Sequence, residues 1–131
     1  MRLYKNAKII TPESIIENKY VVTDNGKIIG ITDTVPDGIT KVIDCGGRYL
    51  SPGFADIHVH GGGGYSAMGS AEDVVKMCTA HALRGTTSIL PTTLAAPVAQ
   101  LKKVIKNIEE AQKLCTDSNI LGVHLEGPFI S

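Results

Sequence analysis

The run Pro52-Gly53-Phe54-Ala55-Asp56-Ile57-His58-Val59-His60-Gly61 decides how the rest of the chain is read. It reads as a strand, in which side chains two residues apart share a face. Phe54, Asp56, His58 and His60 project one way; Ala55, Ile57 and Val59 project the other. The aliphatic face suits packing against helices. The opposite face carries a carboxylate and two imidazoles, whose burial costs free energy unless they are paired or bound to a metal. Imidazoles at i and i+2 lie about 7 Å apart at Cα. Their ring nitrogens can therefore converge on one ion at the ~2.0–2.1 Å typical of a zinc–imidazole bond.

Working toward the carboxyl end, Gly61–Gly64 reads as a flexible loop over the metal site, and Ser70 with Asp73 three residues on reads as a capping box. Val74, Met77, Cys78 and His81 then recur on one helical face, and Gly85 sits where a helix-ending glycine belongs. Thr86 to Pro91 is the next strand. Pro97 opens a second helix at a position that tolerates its missing N–H, and Leu101, Val104, Ile105, Ile108 and Cys115 form its buried stripe. A third strand runs from Asn119 to Glu126, with Leu121, Val123 and Leu125 on one face and Gly122, His124 and Glu126 on the other. Residues 53–126 thus read β-α-β-α-β, an α/β arrangement whose connections imply parallel strands. Two of these strands end in polar pairs at their carboxyl ends, where α/β barrels build active sites. His58, His60 and Glu126 are the candidate metal ligands. Asp56 and His124 are candidates for orienting them.

Toward the amino end the pattern is different. Leu3 to Thr11 leans to β and closes on the turn Thr11-Pro12-Glu13-Ser14. Lys19–Thr23 and Lys27–Ile31 flank Asn25-Gly26, a type I′ hairpin signal. Lys41–Asp44 and Arg48–Leu50 flank Cys45-Gly46-Gly47 and read as another short-strand pair. No helix is expected before residue 51, which gives a β portion over 1–51 and a βα portion over 52–131.

Composition bounds the function. The chain has 131 residues, 13 Lys+Arg against 13 Asp+Glu, and 43% hydrophobic residues, which suits a folded globular protein. A neutral balance without basic clusters argues against nucleic-acid binding. No apolar run approaches the ~18 residues of a membrane span, and Met1–Lys5 lacks the apolar core of a signal peptide, so no membrane partner and a cytoplasmic location are expected. Cys45, Cys78 and Cys115 form no C-x-x-C pair and read as reduced thiols. Ser51, Ser66 and Ser131 have no histidine partner at a spacing that would make a nucleophile. The glycine run lacks both the G-x-S-x-G elbow and the P-loop pattern.

The segment Ser51–Gly61 resembles the P-G-F-x-D-x-H-x-H-G signature of the metal-dependent amidohydrolase superfamily. Together with Arg84–Thr92 and His124-Leu125-Glu126-Gly127-Pro128-Phe129, it resembles the N-acetylglucosamine-6-phosphate deacetylase family within it. The resemblance implies a small β-sandwich fused to a (β/α)8 barrel, of which this chain would hold part of the sandwich, three barrel strands and two helices. It also implies a strand-3 glutamate, matched by Glu126, at the metal position that many amidohydrolases fill with a carboxylated lysine. One or two divalent ions are expected, since some members lack the H-x-H pair and run on one. His and carboxylate ligands suit Zn, Fe, Mn and Ni alike.

The implied reaction removes acetate from a small-molecule amino sugar phosphate, N-acetylglucosamine 6-phosphate, in a full-length homodimer. The family's general-base aspartate and two further metal-binding histidines would lie beyond Ser131, so no catalytic residue is expected within the chain and the 131 residues alone are expected to be inactive. The alternatives are a cyclic amidase or deaminase of the same superfamily, and a non-catalytic metal-binding or assembly module.

Overall fold

The computed structural model describes residues 1–130 and divides into two compact units, Met1–Pro52 and Gly53–Ser131. In the first unit, β1 (Arg2–Lys5), β4 (Tyr20–Asp24), β5 (Lys27–Thr32) and β6 (Lys41–Asp44) form a sheet ordered β5-β4-β1-β6. β2 (Lys8–Ile10), β3 (Ile15–Ile16) and β7 (Tyr49–Leu50) form another, ordered β3-β2-β7. The single strand expected over Leu3–Thr11 is therefore two. Asn6 breaks it by taking a left-handed conformation (φ 54), which Asn tolerates better than most residues.

The expected pairing of Lys41–Asp44 with Arg48–Leu50 does not occur. Instead β6 runs parallel to β1, and β7 runs parallel to β2. The physical reason lies in the crossing segments. The amides of Cys45 and Gly47 donate to the carbonyls of Lys5 and Asn6, and Lys8 N–H donates to the Arg48 carbonyl. Both segments thus step between the sheets side by side, where a hairpin would have reversed the chain. Asp44 anchors the step: its carboxylate accepts the Gly46 amide and the Asn6 side-chain amide, each at 2.9 Å. These bonds, Gly46 first, hold its pKa below the usual value. Asn25 and Gly26, at φ 46 and 77, form the expected hairpin turn between β4 and β5. Ala7, Ile9 and Val21 make the core of this unit, flanked by Tyr4, Ile16, Cys45 and Leu50.

In the second unit, β8 (Phe54–Val59), β11 (Thr86–Pro91) and β12 (Asn119–Ile120) form a parallel sheet ordered β12-β11-β8. Between β8 and α1 (Ala71–Ala82) lies a small hairpin of β9 (Gly61–Gly62) and β10 (Tyr65–Ser66); α2 (Val98–Leu114) connects β11 to β12. The capping box forms as read, with Ser70 accepting the Asp73 amide and Asp73 accepting the Ser70 amide. Gly85 falls two residues beyond the capping residue Leu83, and Pro97 is itself the residue capping α2. Val74, Met77 and Cys78 of α1 meet Val104, Ile108 and Ala111 of α2 over Val59, Ile89 and Ile120 of the sheet, and all are buried. No helix among the described residues is long and apolar enough to cross a membrane.

Two expectations for this sheet need correction. The third strand stops at Ile120, after which a single bridge joins His124 to Thr92. Gly122, at φ +154, takes the chain out of the regular ladder, and the alternation of faces goes with it: Leu121 and Leu125 are half exposed. On β8, Val59 alone of the aliphatic face is buried, while Ile57 is 63% exposed. The helices cover β11 and only the far end of β8.

Ile108 is 1% exposed within this core. Ile108→Ala should cost about 2–5 kcal/mol of unfolding free energy in urea. Val98→Ala on the same helix, at a site 51% exposed, should stay within about 0.5 kcal/mol. Burial, with Cys115 beside it, pushes the Cys78 thiol up to about 12. A raised thiol pKa favours the folded state fully below the ordinary thiol range of roughly 8.5, and that contribution declines as pH rises toward 12. Alkylation at pH 8 followed by mass spectrometry should therefore leave Cys78 unmodified in the folded chain and modify it once urea unfolds the protein.

Candidate metal centre

Alternation along β8 and its extension sends the imidazoles of His58 and His60 to the same face, and Glu126 arrives beside them from the segment after β12. The ligand atoms of these three residues lie within 4.8 Å of one another. His58 Nε2 is 2.8 Å from Glu126 Oε2, His60 Nε2 is 3.3 Å from the same oxygen, and the two Nε2 atoms are 3.3 Å apart. The side chains are 32–50% exposed, so the group opens to solvent.

The donor chemistry fits a divalent cation. His60 Nδ1 faces the Thr92 carbonyl at 3.3 Å. A carbonyl only accepts, so Nδ1 carries a proton, and in the neutral ring Nε2 presents a lone pair toward the Glu126 carboxylate. Two acceptors facing each other are relieved by a cation or a proton between them. Neighbouring ligands of a tetrahedral ion bound at about 2.0–2.1 Å are about 3.3 Å apart; the two separations from His60 Nε2 are 3.3 Å, and that of His58 Nε2 from Glu126 Oε2, at 2.8 Å, is shorter. One ion with three protein ligands would retain an open position.

The two other candidates take different places. Asp56 does not join the donor group; its carboxylate accepts the His58 main-chain N–H at 3.1 Å, bracing the strand. His124 places its ring centroid 4.4 Å from that of His58, tilted by 48°. Its Nδ1 donates to the Ile57 carbonyl at 2.7 Å, which ties the third segment to β8 beside the first histidine. The Ser66 hydroxyl donates to the His60 carbonyl at 3.4 Å and accepts the Met68 N–H at 3.1 Å, with no histidine ring against it, and Ser131 lies outside the described residues.

The glycine run behaves differently from the expected loop over the site. Gly63 and Gly64, both at positive φ, turn the chain between β9 and β10. A Cβ on Gly62 would sit 2.4 Å from His81 Nε2, and one on Gly63 would sit 2.8 Å from Ala80 Cβ. The hairpin is therefore seated on α1, and the His81 ring bonds the Gly61 carbonyl at 3.1 Å. His81 is a packing residue, as its helical face suggested.

Thr92 and Thr93 were not singled out by the sequence, yet both are fully buried at the end of the middle strand. Val59 N–H donates to Thr92 Oγ1 at 2.8 Å, and Thr92 N–H donates to the Val59 carbonyl at 2.8 Å. The Thr93 hydroxyl accepts the Glu126 N–H at 2.9 Å and donates to the Glu126 carbonyl at 3.1 Å. The available signal was positional: two consecutive threonines close the strand that lies between the two ligand-bearing segments.

Residues 49–131 match the Amidohydrolase family. N-acetylglucosamine-6-phosphate deacetylase of Bacillus subtilis is 32% identical over 98% of this chain and 34% of its own length. N-acetylgalactosamine-6-phosphate deacetylase of Escherichia coli O157:H7 is 31% identical over 95% of this chain and 32% of its own. Among solved structures, N-acetylglucosamine-6-phosphate deacetylase from Pasteurella multocida superposes with a TM-score of 0.75 at 32% identity, covering 99% of this chain and 35% of that one. The chain spans about a third of the length of these relatives. Its matched residues carry the H-x-H strand and Glu126, and the chain belongs to the amidohydrolase family.

Proposed function

We propose that this chain contributes the first three strands and the metal-ligating face of a (β/α)8 barrel that removes acetate from N-acetylglucosamine 6-phosphate. Residues 1–51 form the β-sandwich portion and residues 52–131 the barrel portion. The convergence of His58 Nε2, His60 Nε2 and Glu126 Oε2 within 4.8 Å, from segments 68 residues apart, carries the reading. The deacetylases similar to the chain over nearly its whole length support the reaction class.

His58, His60 and Glu126 would hold the ion, which when bound supplies a lowered water pKa and a polarised acetyl carbonyl. The chain's own residues set the stage for that chemistry. The Thr92 carbonyl fixes the His60 tautomer so that Nε2 is free to ligate. The His124 ring, held by the Ile57 carbonyl, limits the movement of the His58 ring. Glu126 is a ligand in this scheme, so the general base comes from elsewhere in the barrel.

Equilibrium dialysis against Zn2+ should show stoichiometric binding by the chain and its loss in His58→Ala and Glu126→Ala. A wild-type chain that retains no Zn2+ would contradict the site. For the reaction, residues 1–131 can replace the corresponding first third of the Bacillus subtilis relative. The chimera should release acetate from N-acetylglucosamine 6-phosphate, and Glu126→Ala should abolish the release. A folded chimera that binds Zn2+ but releases no acetate would overturn the deacetylase reading. Running N-acetylgalactosamine 6-phosphate in parallel tests which epimer is preferred.

A further inference from the structure

We propose that Thr93 is a positioning residue that sets the metal affinity of the site through Glu126; the inference rests on the metal-site reading above. The regular ladder ends at Ile120, six residues before the glutamate. Glu126 therefore has no strand pairing to fix its main chain. One hydroxyl takes that role: Thr93 Oγ1 accepts the Glu126 N–H at 2.9 Å and donates to its carbonyl at 3.1 Å. Just upstream, the Thr93 amide donates to the His124 carbonyl at 3.0 Å. Just downstream, Gly127 lies so close to the strand's exit that a Cβ would sit 2.7 Å from Ala95 Cα. The carboxylate is thus presented from a main chain held at residues 124, 126 and 127.

Valine has nearly the same β-branched shape and would fill a merely structural strand position without a hydroxyl to satisfy. A hydroxyl with no exposure costs free energy unless bonded, and here both bonds go to the residue that carries the ligand. The neighbouring Thr92 is arranged in parallel, accepting the amide of Val59 between the two histidines. The middle strand therefore holds both ligand-bearing segments through adjacent side chains. Groups that orient metal ligands typically change metal affinity by about 10–100-fold when removed.

The test is competition of the chain against a chromophoric chelator for Zn2+, paired with the visible spectrum of the Co2+-loaded chain. Thr93→Val should weaken Zn2+ binding by about 10–100-fold and alter the Co2+ bands, while Thr93→Ser, which keeps the hydroxyl, should restore both. Should the valine variant fail to fold, Thr93→Ala against Thr93→Ser gives the same contrast in smaller side chains. A hydroxyl-free variant with wild-type affinity and spectrum, even with a lowered unfolding midpoint, would overturn the inference. So would a serine variant as weak as the hydroxyl-free one. A wild-type chain that binds no Zn2+ would instead sink the metal reading, and this inference with it.

Discussion

The donor group depends on register. His58 and His60 lie on or just past one edge strand of the parallel sheet, Glu126 lies beyond the other, and the middle strand touches both. A one-residue slip on β8 would turn both imidazoles to the opposite face. Slippage is resisted where it matters, at the carboxyl end, by the paired bonds between Val59 and Thr92. On the other side the bridge of Thr92 with His124 and the Thr93 hydroxyl on Glu126 do the same work. The core below, built from Ile89, Val104, Ile108 and their neighbours, keeps the strands in one layer. The polar bonds above it hold the main chain of the two segments that carry the three side chains.

Chemistry follows from what those side chains offer. Two imidazoles and one carboxylate are a donor set suited to a divalent cation. The tautomer of His60 is set by a main-chain carbonyl, so its ligating nitrogen needs no rearrangement. Preorganisation of this kind matters because a ligand held in place loses little freedom when an ion arrives. Exposure of the group to solvent leaves it accessible to an ion.

Much of this was legible in the residues. The shared face of His58 and His60, the capping box at Ser70 and the helical stripes of α1 and α2 are local signals that formed, although of the aliphatic β8 face only Val59 is buried and of the α2 stripe Ile105 and Cys115 are only half-buried. What the residues hid was non-local. That β6 and β7 would enter different sheets depended on hydrogen bonds between Cys45–Gly47 and Lys5–Asn6, far apart in the chain. That the third strand would stop at Ile120 depended on Gly122, whose φ of +154 no alternation pattern reveals. The glycine run read as mobility, whereas its lack of side chains serves close packing against His81 and Ala80. Thr92 and Thr93 fall just past the strand expected over Thr86–Pro91, and the sequence assigns them no role, because that role is visible only once Val59 and Glu126 lie on either side.

The central claim is that two imidazoles and one carboxylate from these segments share a single ion. X-ray absorption at the zinc edge of the Zn2+-loaded chain tests it most directly. The account predicts a first shell of nitrogen and oxygen at about 2.0–2.2 Å with the outer-shell scattering of two imidazoles. A first shell containing sulfur at about 2.3 Å, which would place the ion on cysteine, or a spectrum without imidazole scattering, would contradict it.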